Sequence, residues 1–382
     1  MVSQGAGQSA ATTKSLRAQD RDVEWEALPT KVGVSPSNPL ERIIGALTNG
    51  PTPFLDTWLP LLQTRAILAA TQLGIFDALE PRPQTAVDIA SRCGTDERAT
   101  ATLLDALVSL GYLRVREMHY SLTPVTRKWL LKDSPKSLRD IVLHRFLDWE
   151  YLTHLEDFIR TGRAMEIHAT MTPERWGVYQ RGMRAIAGIA ADEMARKVPV
   201  PAGARDMLDI GGSHGFYSVV ICRRHPDLRA TVLDLPEALK HAAPLLAKEG
   251  MGDRVVLRAG NSLTDDLGTD AYDLVLLAQV AHHFTASQNR DLARKIARAL
   301  RPGGYYVIHE AISPRRTKKG GLGPFISLFD LYFALTSQSG SWSFEEMADW
   351  QRAAGLDPRK PIRSLIPAVG WQVGVKRASG SS

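Results

Sequence analysis

Arg205-Asp-Met-Leu-Asp-Ile-Gly-Gly-Ser-His-Gly-Phe-Tyr-Ser218 decides the fold, because a short apolar run ends in an acid and breaks into closely spaced glycines before a helix begins. Met207 to Ile210 reads as a buried parallel strand. Gly211, Gly212 and Gly215 permit a tight turn in which the backbone approaches a ligand without Cβ interference. Such a loop holds a nucleotide-like ligand. The spacing Asp209-x-Gly211-Gly212-x-x-Gly215 fits a pyrophosphate-binding Gly-x-Gly-x-x-Gly loop poorly, which disfavours an oxidoreductase. A Lys followed by Ser or Thr, needed to cradle phosphates, is missing after Gly215, so kinase and NTPase readings fall away.

The charge of the loop narrows the ligand further. Asp209 would sit badly beside a phosphate but well beside a cation that also carries hydroxyls and an amine. S-adenosylmethionine, with its sulfonium and α-amino group, has that character.

Composition sets the frame for this loop. The 382 residues suffice for two to three domains with a sizeable core, and the 23% of charged residues is globular usage. A net charge of +6 with no block of five basic residues gives no nucleic-acid footprint. Two distant cysteines, Cys93 and Cys222, offer neither a disulfide framework nor a metal site. Apolar runs all fall short of the ~18 residues that span a bilayer, and the first residues lack a secretory core. A cytoplasmic protein without a membrane partner is the expectation.

In chain order, residues 1–40 read as a mobile tail, rich in Ser, Gln, Thr and charge. Residues 41–145 read as a winged-helix dimerisation domain. Phe54, Trp58, Leu61, Leu62 and Leu68 recur at helical spacing, a helix runs from Glu97 to Leu110, and Gly111–Arg116 and His119–Thr123 alternate like a hairpin. The early apolar residues exceed what so small a unit buries, which marks an interface. Glu97–Leu110 is a poor reader of DNA, carrying Glu97, Arg98 and Asp105 among small and apolar residues. Residues 146–200 read as linking helices that wall a pocket, with Phe146, Trp149, Met171, Trp176 and Met183 as candidates. Residues 201–377 alternate strand and helix, as in a doubly wound α/β domain.

The chemistry-bearing residues gather at strand ends of that domain. Asp234 ends the second strand, 19 residues beyond Gly215, where an acid accepts the ribose hydroxyls of a nucleoside. His282 follows the fourth strand in Ala281-His-His-Phe284, placed to take a proton near neutral pH. Glu310 ends the fifth strand on the same edge and can bind the far ring nitrogen of a catalytic histidine. No His/Cys/Asp/Glu cluster has metal-ligand spacing, and the Gly-x-Ser-x-Gly of a serine hydrolase is missing.

Together these residues resemble the class I S-adenosylmethionine-dependent O-methyltransferases with an N-terminal winged-helix dimerisation domain, over about Phe54 to Lys376. Leu208-Asp-Ile-Gly-Gly-Ser-His-Gly215 looks like that family's cofactor loop with Ser213 in place of a glycine. Val232-Leu-Asp-Leu-Pro236 matches its ribose-binding segment and Leu300-Arg-Pro-Gly-Gly304 its turn before the fifth strand. The resemblance implies a Rossmann-like domain with a seven-stranded sheet, a homodimer and S-adenosylmethionine as cofactor. It places the cofactor on Asp209, Gly211, Gly212, Gly215, Asp234, Leu235, Gly260, Asn261, Ser262 and Gln279. It makes His282 the general base, oriented by Glu310, and a small aromatic molecule the acceptor, met by Met183, Asp330 and Phe333; Phe146 and Trp149 join them as the pocket candidates of the linking helices. Three positions depart from the pattern: Ala278 stands for a lysine over the adenine, Ser341 for a second glutamate beside the base, and Asn261 for an acid. Methylation at carbon or nitrogen, as of an indole, is the near alternative; a winged-helix, ligand-sensing DNA-binding regulator is the distant one.

Overall fold

Local capping sets the first elements. A computed structural model describes residues 52–313, 323–337, 339–366 and 368–378, so the tail expected over 1–40 lies outside the described residues. Helix α1 (Thr52–Gln72) is followed by Gly74 at a φ of 76° and the short α2 (Ile75–Ala78). Thr85 and Asp88 close a capping box on α3 (Ala86–Cys93), which left-handed Gly94 ends. Asp96 then starts α4 (Glu97–Ser109) by accepting the Ala99 N–H at 2.8 Å. β1 (Leu113–Arg116) and β2 (His119–Leu122) pair antiparallel around Glu117 and Met118, whose φ values of 49° and 63° suit a tight hairpin. Phe76, Leu79, Leu104, Leu107 and Tyr120 share the core beneath them. On α1, however, Phe54 and Trp58 stay 57% and 49% exposed, and Leu61 and Leu62 are exposed beside them.

Helices α5 (Pro124–Trp129), α6 (Arg139–Leu152), α7 (Leu155–Thr161) and α8 (Ile167–Thr170) lead to α9 (Pro173–Lys197). Thr172 caps α9 and Pro173 opens it, a pairing that fixes its start. α9 packs on α6 and also on α10 (Phe216–Arg224) and α11 (Pro236–Ala247), so it bridges the helical region to the sheet.

The sheet is built on β3 (Asp206–Ile210), β4 (Arg229–Asp234), β5 (Val255–Ala259), β6 (Tyr272–Ala278) and β7 (Leu300–Ala311) in the order β5-β4-β3-β6-β7, all parallel. α12 (Ala286–Ala299) joins β6 to β7; α13 (Gly323–Ser337) and α14 (Phe344–Ala353) follow. After them β8 (Asp357–Pro358), β9 (Ile362–Arg363) and β10 (Val369–Val375) complete eight strands, with β10 antiparallel to β7. The eight strands fill seven positions. β8 and β9 both run antiparallel to β10, pairing Pro358 with Gly374 and Ile362 with Trp371, registers that differ by one residue, so they are two pieces of one broken edge ribbon. The turn expected at Leu300–Gly304 lies inside β7 as an irregularity: Leu300 pairs with Tyr272, and the ladder resumes at Tyr305 with Leu274.

Burial explains the unbroken apolar reading of these strands. Met207, Val232, Leu276 and Val307 pack into one core with Met194 of α9, and Leu208, Leu233, Leu277 and Ile308 into a second with Ile296 of α12. Both faces are covered, as a parallel sheet requires.

Candidate active site

Backbone space shapes the loop after β3. A Cβ on Gly211, at a φ of 63°, would lie 2.7 Å from Val280 Cγ2, and one on Gly212 would lie 2.6 Å from the Asp209 carboxylate and 2.8 Å from Val232 Cγ1. Asp209 sits beneath the loop, 1% exposed, and its Oδ2 accepts the Ser218 hydroxyl at 2.6 Å. Burial pushes its carboxyl up to about 7. Gly212→Ala should therefore abolish binding of S-adenosylhomocysteine by titration calorimetry and lower thermal stability by about 1–3 kcal/mol, the usual cost of overpacking.

Ser213 adopts a φ of 54°. On volume alone, serine for glycine looks harmless; the variable that matters is backbone conformation, because a side chain in the left-handed region costs about 1–2 kcal/mol. Its N–H donates to Asp234 Oδ2 at 2.8 Å, and its hydroxyl donates to Gln180 Oε1 at 2.6 Å. Asp234 Oδ1 accepts the Leu235 N–H at 2.7 Å. Burial pushes Asp234 up to about 6, against the pull of those two N–H groups.

A cleft opens above this loop at the carboxyl ends of the parallel strands, where an open α/β sheet places its ligand. Of the residues singled out for the cofactor, Gly211, Asp234, Leu235, Gly260, Asn261, Ser262 and Gln279 line it. Asp209, Gly212 and Gly215 do not, and shape the loop from outside the lining. The side-chain oxygen of Asn261, which stands where the family has an acid, accepts the Leu263 N–H at 3.0 Å. Gln279 holds a φ of 57°, and its N–H reaches the His309 carbonyl at 2.8 Å.

The opposite wall is aromatic. Trp176 and Tyr179 of α9, His168 of α8, and His283 and Phe284 line it with Gln180. His168 meets Tyr179 edge-on at 5.3 Å and His283 edge-on at 4.6 Å. Burial pulls His168 down to about 4 and His283 well below its ordinary value, so both rings are neutral at pH 7. Sequence reading missed His168 and Gln180. Gln180 lies one helical turn from Trp176, a signal that was there to use, whereas four-residue α8 has no periodicity to find.

Beyond β6 a single turn of 3₁₀ helix, Ala281–His283, carries the paired histidines. His282 Nδ1 lies 2.9 Å from Glu310 Oε2, the two residues being 4% and 0% exposed. The His282 ring lies outside the cleft lining. It is stacked on Phe333 at 3.9 Å and tilted against His283 at 4.2 Å. His283 Nδ1 lies 2.7 Å from the Ser337 hydroxyl. Asp330, one turn before Phe333, accepts the Ser341 N–H at 2.9 Å and the Ser341 hydroxyl. Ser339 and Trp342 in turn donate to the Phe284 and Ala281 carbonyls, each at 2.9 Å, which straps the turn in place.

None of the five residues expected to meet the acceptor lines the cleft: Phe333 packs on His282, Asp330 accepts the Ser341 N–H, and the other three lie farther off. Phe146 and Trp149 sit under the Arg65 guanidinium of α1, at 5.0 and 5.3 Å, a cation–π arrangement that turns them toward the N-terminal helix. Met183 is half-buried on α9 outside the cleft lining.

A glycine loop after the first parallel strand, an acid ending the second and a buried histidine–carboxylate pair at the ends of two others make up the ligand edge of a doubly wound, nucleoside-binding α/β enzyme. Residues 146–351 match the O-methyltransferase domain family, and residues 59–133 match the O-methyltransferase dimerisation domain. The chain belongs to this family and is a methyltransferase. Among its relatives, the 3-hydroxy-5-methyl-1-naphthoate 3-O-methyltransferase of Streptomyces sahachiroi is 28% identical over 341 residues, 85% of this chain and 95% of the relative. The L-tyrosine C(3)-methyltransferase of Streptomyces lavendulae is 25% identical over 320 residues, 79% of this chain and 85% of the relative. Human N-acetylserotonin methyltransferase, solved in complex with SAM, shares the fold at a TM-score of 0.75 and 19% identity, over 90% of this chain and 100% of that one. These matches lend no support to a DNA-binding regulator. Among the described residues no helix is long and apolar enough to cross a membrane, and no group of three or more His, Cys, Asp or Glu could hold a metal ion.

Proposed function

We propose that this methyltransferase moves the methyl group of S-adenosylmethionine to a hydroxyl of a small aromatic acceptor, with His282 as general base, and that it works as a homodimer. The observation that carries the reading is the buried His282–Glu310 pair at 2.9 Å beside a cleft that also holds Asp234. The residues present fit the cofactor. Gly211 has no room for a Cβ against Val280, Asp234 offers carboxylate oxygens to ribose hydroxyls, and Gly260, Asn261 and Ser262 line the cleft at the end of β5. When bound, S-adenosylmethionine supplies a methyl group already activated by its sulfonium.

The protein's own share of the reaction is position and one proton. Glu310 accepts the Nδ1–H of His282, which fixes the tautomer and leaves Nε2 with the lone pair. Nε2 would take the proton of the acceptor hydroxyl as that oxygen accepts the methyl group, the thioether S-adenosylhomocysteine leaving with the electron pair of the broken carbon–sulfur bond, and Glu310 would stabilise the imidazolium that forms. Holding the oxygen at near-attack distance is the larger contribution. Rings of His168, Trp176, Tyr179 and Phe284 suit a planar acceptor, in keeping with relatives named for a naphthoate and for tyrosine. The uncovered apolar residues of α1 are the surface a second copy would cover.

The test is transfer of a labelled methyl group from S-adenosylmethionine to a panel of hydroxynaphthoates and phenols, with the product located by mass spectrometry. Label on oxygen is expected. Label on ring carbon, the chemistry in the name of the Streptomyces lavendulae relative, would replace the hydroxyl reading. The absence of both transfer and S-adenosylhomocysteine binding would sink the proposal.

A further inference from the structure

Ser213 is a side chain held in the left-handed region, at a φ of 54°, where glycine would sit without strain. Strain kept at a ligand-binding edge needs something that repays it. The Ser213 hydroxyl supplies it through its 2.6 Å bond to Gln180 Oε1, and the Gln180 side chain belongs to a residue only 1% exposed. Both residues line the cleft. Ser213 also donates its N–H to Asp234, so the same residue grips the ribose-side acid and the acceptor-side helix. Next to Gln180 on the same helix begins a chain of ring contacts. Tyr179 is its neighbour on α9, His168 packs on Tyr179 at 5.3 Å, and His283 packs on His168 at 4.6 Å, beside His282.

We propose that Ser213 and Gln180 are positioning residues that latch the cofactor loop to the acceptor wall, so that cofactor binding orders α8 and the start of α9 before the acceptor arrives. The proposal rests on the cleft's being the S-adenosylmethionine site. Fixing Asp234 and the loop around a bound nucleoside fixes Ser213. Ser213 then holds Gln180, and Gln180 holds the face of α9 that carries Trp176 and Tyr179. A bond that served stability alone would leave the wall equally ordered with and without cofactor.

Hydrogen exchange of the full-length protein, with S-adenosylhomocysteine as the probe, reads this without knowledge of the acceptor. In the unaltered protein the probe should slow exchange in peptides spanning 167–183 by about fivefold, the effect of one net hydrogen bond. Ser213→Gly removes the hydroxyl and relieves the strain while keeping the N–H that Asp234 accepts, so the fold is kept; with the variant saturated by the probe, protection of 167–183 should be lost. Gln180→Leu should behave in the same way. Gln180→Glu keeps an acceptor for the Ser213 hydroxyl and should restore protection. Full protection in Ser213→Gly, or equal behaviour of Gln180→Glu and Gln180→Leu, overturns the latch. If the unaltered protein gives no heat with the probe, the cofactor reading beneath the latch fails with it.

Discussion

His282→Ala should lower turnover by about 10²- to 10⁴-fold, the usual share of a general base, while S-adenosylhomocysteine binds as before. The separation of the two effects follows from geometry: the His282 ring lies outside the cleft lining, held by Phe333, Glu310 and His283, and is not itself one of the cleft's walls. Glu310→Gln sharpens the test. An amide can offer an N–H to Nδ1, which would move the ring proton to Nε2 and remove the lone pair that takes the acceptor's proton. Its turnover should fall with the ring still in place. Steady-state rates on an acceptor found by the label screen, set beside a thermal melt of each variant, check both. Near wild-type turnover in His282→Ala would exclude obligatory deprotonation by this ring and favour methylation at carbon.

The second large effect is acid lability. His168, His214 and His309 are buried and neutral, with values held down to about 4, about 3 and about 4, and burial is the first cause in each. Such a group stabilises the fold fully above its unfolded value near 6.5, and that stability is lost as pH falls from there toward the folded value. At about 1.4 kcal/mol per pH unit, each histidine has cost somewhat under 3 kcal/mol by pH 4.5. Asp209 and Asp234 act with the opposite sign. Their values, raised to about 7 and about 6, mean that the native state takes up protons first as pH falls, which returns about 5 kcal/mol of the loss over the same window. Three lowered histidines against two raised acids leave a net loss as pH falls, to which His283, lowered by the same burial, adds. Urea melts between pH 7.5 and 4.5 should show stability falling below pH 6.5. A stability that rises steadily to pH 4.5 would mean that the acids outweigh the histidines.

What could be read in the chain divides along physical lines. The cofactor edge is local: β3, its glycine loop and the acid that ends β4 lie within 30 residues, each with a period or a spacing, and Asp234 was legible for that reason. The His282–Glu310 pair joins residues 28 apart, and both end strands whose apolar runs are unmistakable. The acceptor side has no such support. Phe146 and Trp149 look like pocket walls on an apolar helix, but the Arg65 that covers them lies some 80 residues upstream on α1, and nothing in their own neighbourhood signals it. His168 and Gln180 matter through tertiary contacts alone. Ser213 was visible as a departure, but its consequence depended on a backbone angle that only the fold supplies.

The broken ribbon of β8 and β9 has a bearing on assembly. A continuous strand beside β10 would present a row of free N–H and C=O groups on which another chain could add. Here Pro358 and Pro361 withhold donors, and the one-residue change of register between Pro358 and Ile362 spoils the repeat that an incoming strand would need. Strand addition is thereby blocked along this edge of the sheet, and β5 is left as the other edge.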